Sequence, residues 1–239
     1  SLSDDNSNNA YTITISEEDA TGLTATQLIS INALTPLPVD ASAVTALSFD
    51  TIANINTLLL NASDSAQFTE SSFSNLRFVS VFDEAGYFAA NPDVANAVQS
   101  VTGAGLNHYI NFGQNEGRND GLIDVDVLNN ALNSGYALSP IVEFILTPGS
   151  TIEGGEESDY IDLLDHEDNG TISITNQNLT VENGTVSTSI FDELNNTTTG
   201  TVTVNEVTTD DGTTDDGTTD DGGTDTDGDT GTGDDTTGD

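Results

Sequence analysis

The sequence predicts an α+β protein in four parts: a small strand-helix repeat unit (10–62), a compact helical module (73–147), a short antiparallel β region (148–207) and a disordered acidic tail (208–239). Three observations carry that prediction. Apolar residues recur at helical spacing through the first half, alternate with polar ones between 171 and 204, and vanish after Val207.

The first part opens with Tyr11–Ile15, whose polar-apolar alternation predicts a half-buried strand. A helix follows over Thr24–Leu34: Thr24 and Gln27 form a capping box, Leu23 precedes the cap, and Leu28, Ile31 and Leu34 share one stripe. A proline-flanked break leads to a second strand, Ala43–Phe49. Asp50 then caps a helix whose buried face is Ile52, Ile55, Leu58 and Leu59. Such a unit buries few large side chains against the ordering entropy of its chain, so it is marginal without neighbours.

The middle part holds both arginines, Arg77 and Arg118, and most of the aromatic residues. In Phe88–Val98, Asn91 caps a helix, Pro92 takes its first position and Asp93 faces the positive end of its dipole. Val94, Val98 and Val101 form its stripe. Leu106, Tyr109, Ile110 and Phe112 make another helix, which Gly113 ends. With few cations available, Arg118 is expected to bond a carboxylate or a helix-terminal carbonyl, and His108 to serve the core or a cap.

After residue 148 the chain turns polar. Thr171–Thr175, Leu179–Ile190 and Thr199–Val204 alternate, and Asn183-Gly184 between two such runs predicts a two-residue hairpin. From Thr208 the chain is Thr, Asp and Gly alone, with nothing to offset the entropy of ordering it.

Charge bounds the function. Forty-one acidic residues against two basic ones give a formal charge of −39, which repels nucleic acid, and no apolar run is long enough for a membrane span. The absence of cysteine leaves the redox compartment open, while the acid excess, the Thr, Asn, Ser, Asp and Gly richness and the near-absence of cations suit salty, calcium-containing surroundings, an extracellular or cell-surface bacterial setting. The lack of methionine and the repetitive acidic end make a fragment of a larger protein the expectation.

Two resemblances add to this. Residues 10–62 resemble the strand-helix repeats of giant bacterial and cyanobacterial surface proteins, which implies a stacked array; an isolated αβ piece of a globular domain is the other reading. Phe82–Gly121 resembles a helical module of large secreted bacterial proteins, marked by Phe82, Asp83, Tyr87, Asn91-Pro92-Asp93-Val94, His108-Tyr109, Phe112-Gly113 and Glu116-Gly117-Arg118. That module often stands beside hemolysin-type calcium-binding repeats.

Calcium is accordingly the candidate cofactor, and the candidate ligands are Asp159, Asp162, Asp225, Asp227 and Asp229. Gly154–Asp162 reads as one degenerate glycine-rich nonapeptide, and a lone copy supplies half of a shared site. The tail alternates Asp225, Asp227 and Asp229, and its twelve aspartates from Asp210 onward attract calcium by density alone. Asp165, His166 and Asp168 read as one loop too short to preorganise a transition metal. No nucleophile elbow, phosphate loop or metal-hydrolase signature occurs.

The expected function is therefore a non-enzymatic, adhesive or structural segment of a large secreted or surface protein. Its expected partners are calcium, other repeats of the same parent, and a surface or matrix component. The alternatives are an accessory region of a secreted hydrolase and a dedicated calcium-binding module.

Overall fold

The computed structural model describes residues 10–18, 20, 22–98, 101, 103–118 and 121–209, with the backbone of 214–215. Eight α-helices alternate with short strands along them. The first coils contribute α1 (Ala25–Asn32), β1 (Ala46–Asp50), α2 (Ile52–Ala62) and β2 (Phe78–Val81). Three short helices follow, α3 (Glu84–Ala90), α4 (Pro92–Val98) and α5 (Ala104–His108), the last running into a π-turn at Tyr109–Gly113. The chain then returns through β3 (Leu122–Asp124), α6 (Val125–Leu138), β4 (Glu143–Leu146), β5 (Thr151–Gly154) and α7 (Glu157–Asp168). It continues with β6 (Asn178–Val181), β7 (Val186–Ser187), α8 (Thr188–Thr197), β8 (Val202–Val204), β9 (Val207–Thr208) and β10 (Thr214–Asp215).

The strands pair in parallel, in the orders β1-β2-β4 and β3-β5-β6-β8, with β7 beside β9. The β9–β10 pair alone among them is antiparallel. Parallel register stacks like on like: Leu47, Val79 and Phe144 form one buried column, and Ile123, Ile152 and Leu179 another. Partners in β1–β2, β3–β5, β5–β6 and β6–β8 are 23 to 32 positions apart in sequence, about the length of one strand-helix coil, whereas those of β2 and β4 are 65 apart because α3–α6 intervene. The helices stack in the same order, α1 on α2, α2 on α6, α6 on α7 and α7 on α8. Since α2 meets α6 directly, α3–α5 form an insertion that leaves the stack after β2 and rejoins it at β3.

One buried apolar cluster runs from Ile15 to Leu194 through these coils. Residues of the first three sequence segments therefore share a core. Phe82, Tyr87, Val94 and Tyr109 make a second, smaller cluster inside the insertion. Burying each large side chain contributes roughly 1.5–3 kcal/mol, so the long column offsets the short elements that compose it. Phe73 sits within it at φ 61, a left-handed conformation held by full burial and an edge-on contact with Phe68 at 5.2 Å.

Several expectations are corrected. The fold is mixed α/β with parallel strands, so the antiparallel region at 148–207 is overturned. Asn183-Gly184 makes no hairpin: β6 pairs with β5 and β8, while β7 pairs with β9. A two-residue hairpin of the usual type needs a left-handed Asn, yet Phe73 is the one non-glycine with positive φ among the described residues. Thr188–Thr197 is helical because Leu194 is buried and Ile190 and Phe191 pack on the core from one helical face. Within Tyr11–Ile15 only Thr14 bridges, to Asp40, and within Thr171–Thr175 only Ile172, to Phe144.

Helix details shift for local reasons. Thr24 and Gln27 do form the capping box, but α1 stops at Asn32 and leaves Leu34 exposed. Thr51, not Asp50, caps α2; the Asp50 carboxylate instead accepts the Thr51 and Thr26 N–H groups, tying the starts of α1 and α2 together. Val101 lies beyond α4 and is exposed. At the π-turn the wider spiral keeps Tyr109 inside while Ile110 and Phe112 face out. The tail beyond 215, with Asp225, Asp227 and Asp229, lies outside the described residues.

Candidate functional site

The insertion is built by its own polar groups. Asp83 caps α3, its Oδ1 accepting the Gly86 N–H at 2.9 Å. Next to it, Glu84 reaches across to α5 and accepts from Gly103 at 2.9 Å and Gly105 at 2.7 Å. The Tyr87 hydroxyl meets His108 Nδ1 at 2.8 Å, and the rings of Phe82, Tyr87 and Tyr109 lie 5.4 to 5.8 Å apart. Tyr109 donates its hydroxyl to the Pro148 carbonyl at 2.9 Å, which fastens the insertion to the stack.

Pro92 opens α4 as expected, with the Asn91 carbonyl accepting the Val94 and Ala95 N–H groups. The Asn91 side chain donates back to the Tyr87 carbonyl at 2.9 Å, closing α3. Arg118 grips Asp93 through both guanidinium ends and also bonds Glu116. This pairing holds the Asp93 carboxyl below the usual carboxylate range and raises the Arg118 guanidinium further above neutrality. His108 and Arg118 are thus placed in structural bonds.

The second concentration of chemistry is acidic. Asp159 and Asp162 lie on α7, a twelve-residue helix where the nonapeptide reading expected a calcium turn. The helix forms because Tyr160, Leu163 and Leu164 share a buried face, while Gly155 provides the turn at φ +62. Asp159 Oδ2 accepts the Glu156 N–H at 2.7 Å, whereas Asp162 is exposed. Asp165, His166 and Asp168 are likewise on this helix and not on a loop. His166 Nδ1 meets the Thr171 hydroxyl at 3.1 Å, and burial lowers its pKa despite Asp162 and Asp165.

Around Asp159 the ends of β3, β5 and β6 bring Asp124, Asp126, Glu153, Glu156 and Glu182 together. Burial first, then Asp159 and Asp124, raise the Asp126 carboxyl. Burial first, then Glu182 and Asp124, raise that of Glu153. The Tyr160 hydroxyl, donating to the Thr180 carbonyl at 2.7 Å, is also pushed up, mainly by burial. Both ion pairs found among the described residues belong to Arg118, so these carboxylates repel one another without a protein cation. Sequence reasoning found Asp159 but missed Asp124, Asp126, Glu153 and Glu182, because parallel register, not spacing, makes them neighbours. Among the described residues no group of three or more such side chains is set to hold one metal ion.

A cavity of about 210 Å³ lies where the insertion leaves the stack, lined among others by Thr51, Phe82, Asp83, Gly121, Asp124 and Thr147. Asp83 and Asp124 there are occupied as helix caps. Compared with family models, with curated proteins and with solved structures, the chain gives no match.

Proposed function

We propose that the chain is a non-enzymatic segment of a secreted or cell-surface bacterial protein, adhesive or structural in role and tuned by calcium. The observation that carries this reading is the use of the insertion's signature side chains. Tyr87, Asn91, Asp93, His108, Glu116 and Arg118 all bond to other parts of the insertion. A motif spent on its own architecture serves as a rigid spacer or binding knob carried on a stack of coils, and such stacks lengthen without needing a new core.

The carboxylates at the strand ends support the calcium component. Carboxylates whose pKa values are raised by burial and then by one another gain from any divalent cation that screens them, and oxygen-rich surfaces favour calcium. The test is calcium titration at fixed ionic strength, read by calorimetry and circular dichroism on the whole chain and on a chain ending at residue 207. Calcium should raise the Tm of both beyond what sodium does. A response lost with the tail would confine calcium to residues 208–239, and equal Tm values in calcium and sodium would overturn the calcium component.

A further inference from the structure

One short phrase occurs twice with nearly the same chemistry: Asp168-Asn169-Gly170-Thr171 and Glu182-Asn183-Gly184-Thr185. An Asn-Gly pair can react with itself. The glycine amide nitrogen attacks the asparagine Cγ, a C–N bond forms, and ammonia leaves, its third hydrogen supplied by that nitrogen's proton. Water then opens the resulting succinimide at one carbonyl to give aspartate or at the other to give isoaspartate. Water is the only co-reactant. Because glycine lacks a Cβ, the attack meets little steric resistance, and the local sequences here are matched closely enough that the fold decides which pair reacts.

The fold treats them oppositely. Asn169 ends α7, where its own N–H and its side-chain Nδ2 both donate to the Asp165 carbonyl, at 3.1 and 2.7 Å. The would-be nucleophile, the Gly170 N–H, donates to the Glu167 carbonyl at 2.9 Å. Attack there requires breaking the helix end.

Asn183 is exposed in the turn between β6 and β7, held upstream by its N–H bond to the Gly155 carbonyl at 3.0 Å. The Gly184 N–H has no hydrogen-bond partner among the described residues. A Cβ built on Gly184 would meet nothing within 4 Å at φ +76, and the same is true of Gly170 at φ +70, so space does not separate the two sites. What separates them is the glycine nitrogen, which is bonded at Gly170.

We propose that Asn183 is a site of spontaneous deamidation and that α7 protects Asn169 from the same reaction. Conversion places a new carboxylate beside Glu182, within the acidic strand-end cluster, and the isoaspartate route also lengthens the main chain between β6 and β7.

The experiment ages the folded whole chain at mildly alkaline pH, then follows residues 169 and 183 by peptide mass mapping and enzymatic isoaspartate methylation. A parallel sample is kept in urea. Asn183 should convert several-fold faster than Asn169 in the folded chain, with the ratio falling toward unity in urea. Equal rates in the folded chain, Asn169 ahead, or a ratio unchanged by urea would each overturn the proposal.

Discussion

Arg118 holds Asp93 through two parallel hydrogen bonds, Nη1 to Oδ1 at 2.9 Å and Nη2 to Oδ2 at 2.8 Å, across 25 positions of sequence. The planar fork matches the carboxylate, which a lysine ammonium cannot do. Arg118→Lys should lower the Tm, with a larger fall at low salt because the pair is partly exposed. Adding Asp93→Asn to that variant should cost little more, since the partners act together. The pH dependence follows from Asp93. Its folded pKa lies below the ordinary value, so the contribution is complete above that value and is lost as pH falls through the folded one. Thermal melts of the parent chain, Arg118→Lys, Asp93→Asn and the double variant from neutral to acid check this; additive losses would show that the pair is uncoupled.

Gly113 lies against the insertion's aromatic core. A Cβ there would lie 2.7 Å from the Tyr87 hydroxyl oxygen and 3.0 Å from Tyr109 Cδ2. Gly113→Ala should therefore push Tyr87 off His108 and destabilise by roughly 1–3 kcal/mol. Urea unfolding monitored by near-ultraviolet circular dichroism of the tyrosines gives the readout. Unchanged stability would mean that the π-turn absorbs the methyl group.

Burial and then the neighbouring Asp159 and Asp124 carboxylates disfavour the Asp126 anion. Its folded pKa is raised, so the fold favours the neutral carboxyl, and that stability is present below the ordinary carboxylate value and lost as pH rises through the folded one. Asp126→Asn should raise the Tm at neutral pH and low salt. The gain should shrink in acid and in high salt, although the start of α6 favours a negative charge there and reduces it. A lower Tm at neutral pH would show that Asp126 makes a favourable contact as an anion.

His166 behaves in the opposite sense to Asp126. Burial lowers its folded pKa, so the neutral ring stabilises above the ordinary histidine value and that stability is lost as pH falls through the folded one. His166→Gln should remove part of the Tm decline expected just below neutral pH, and an unaltered decline would assign it to other groups.

Local signals were readable wherever a few neighbouring residues settle the outcome. The Thr24/Gln27 box starts α1, Pro92 starts α4, and the Ile52, Ile55, Leu58 and Leu59 face of α2 is buried as its spacing requires. α7 was hidden because Gly154-Gly155 and the following acids imitate a cation loop, while its apolar face is only three residues. The hairpin expected at Asn183-Gly184 failed for a related reason. Alternation indicates a strand but is silent on its partner.

The sequence by itself determined the starts of α1 and α4, the buried face of α2 and the strong net negative charge, because those depend on composition or on contacts within a turn or two. Tertiary structure alone decided that the strands are parallel, that α2 meets α6 across the insertion, and that Asp124, Asp126, Asp159, Glu153 and Glu182 share one end of the stack. Parallel partners lie a full coil apart, and the register that joins them comes from stacking Ile123, Ile152 and Leu179 in one column, an energy that exists only once the coils have met.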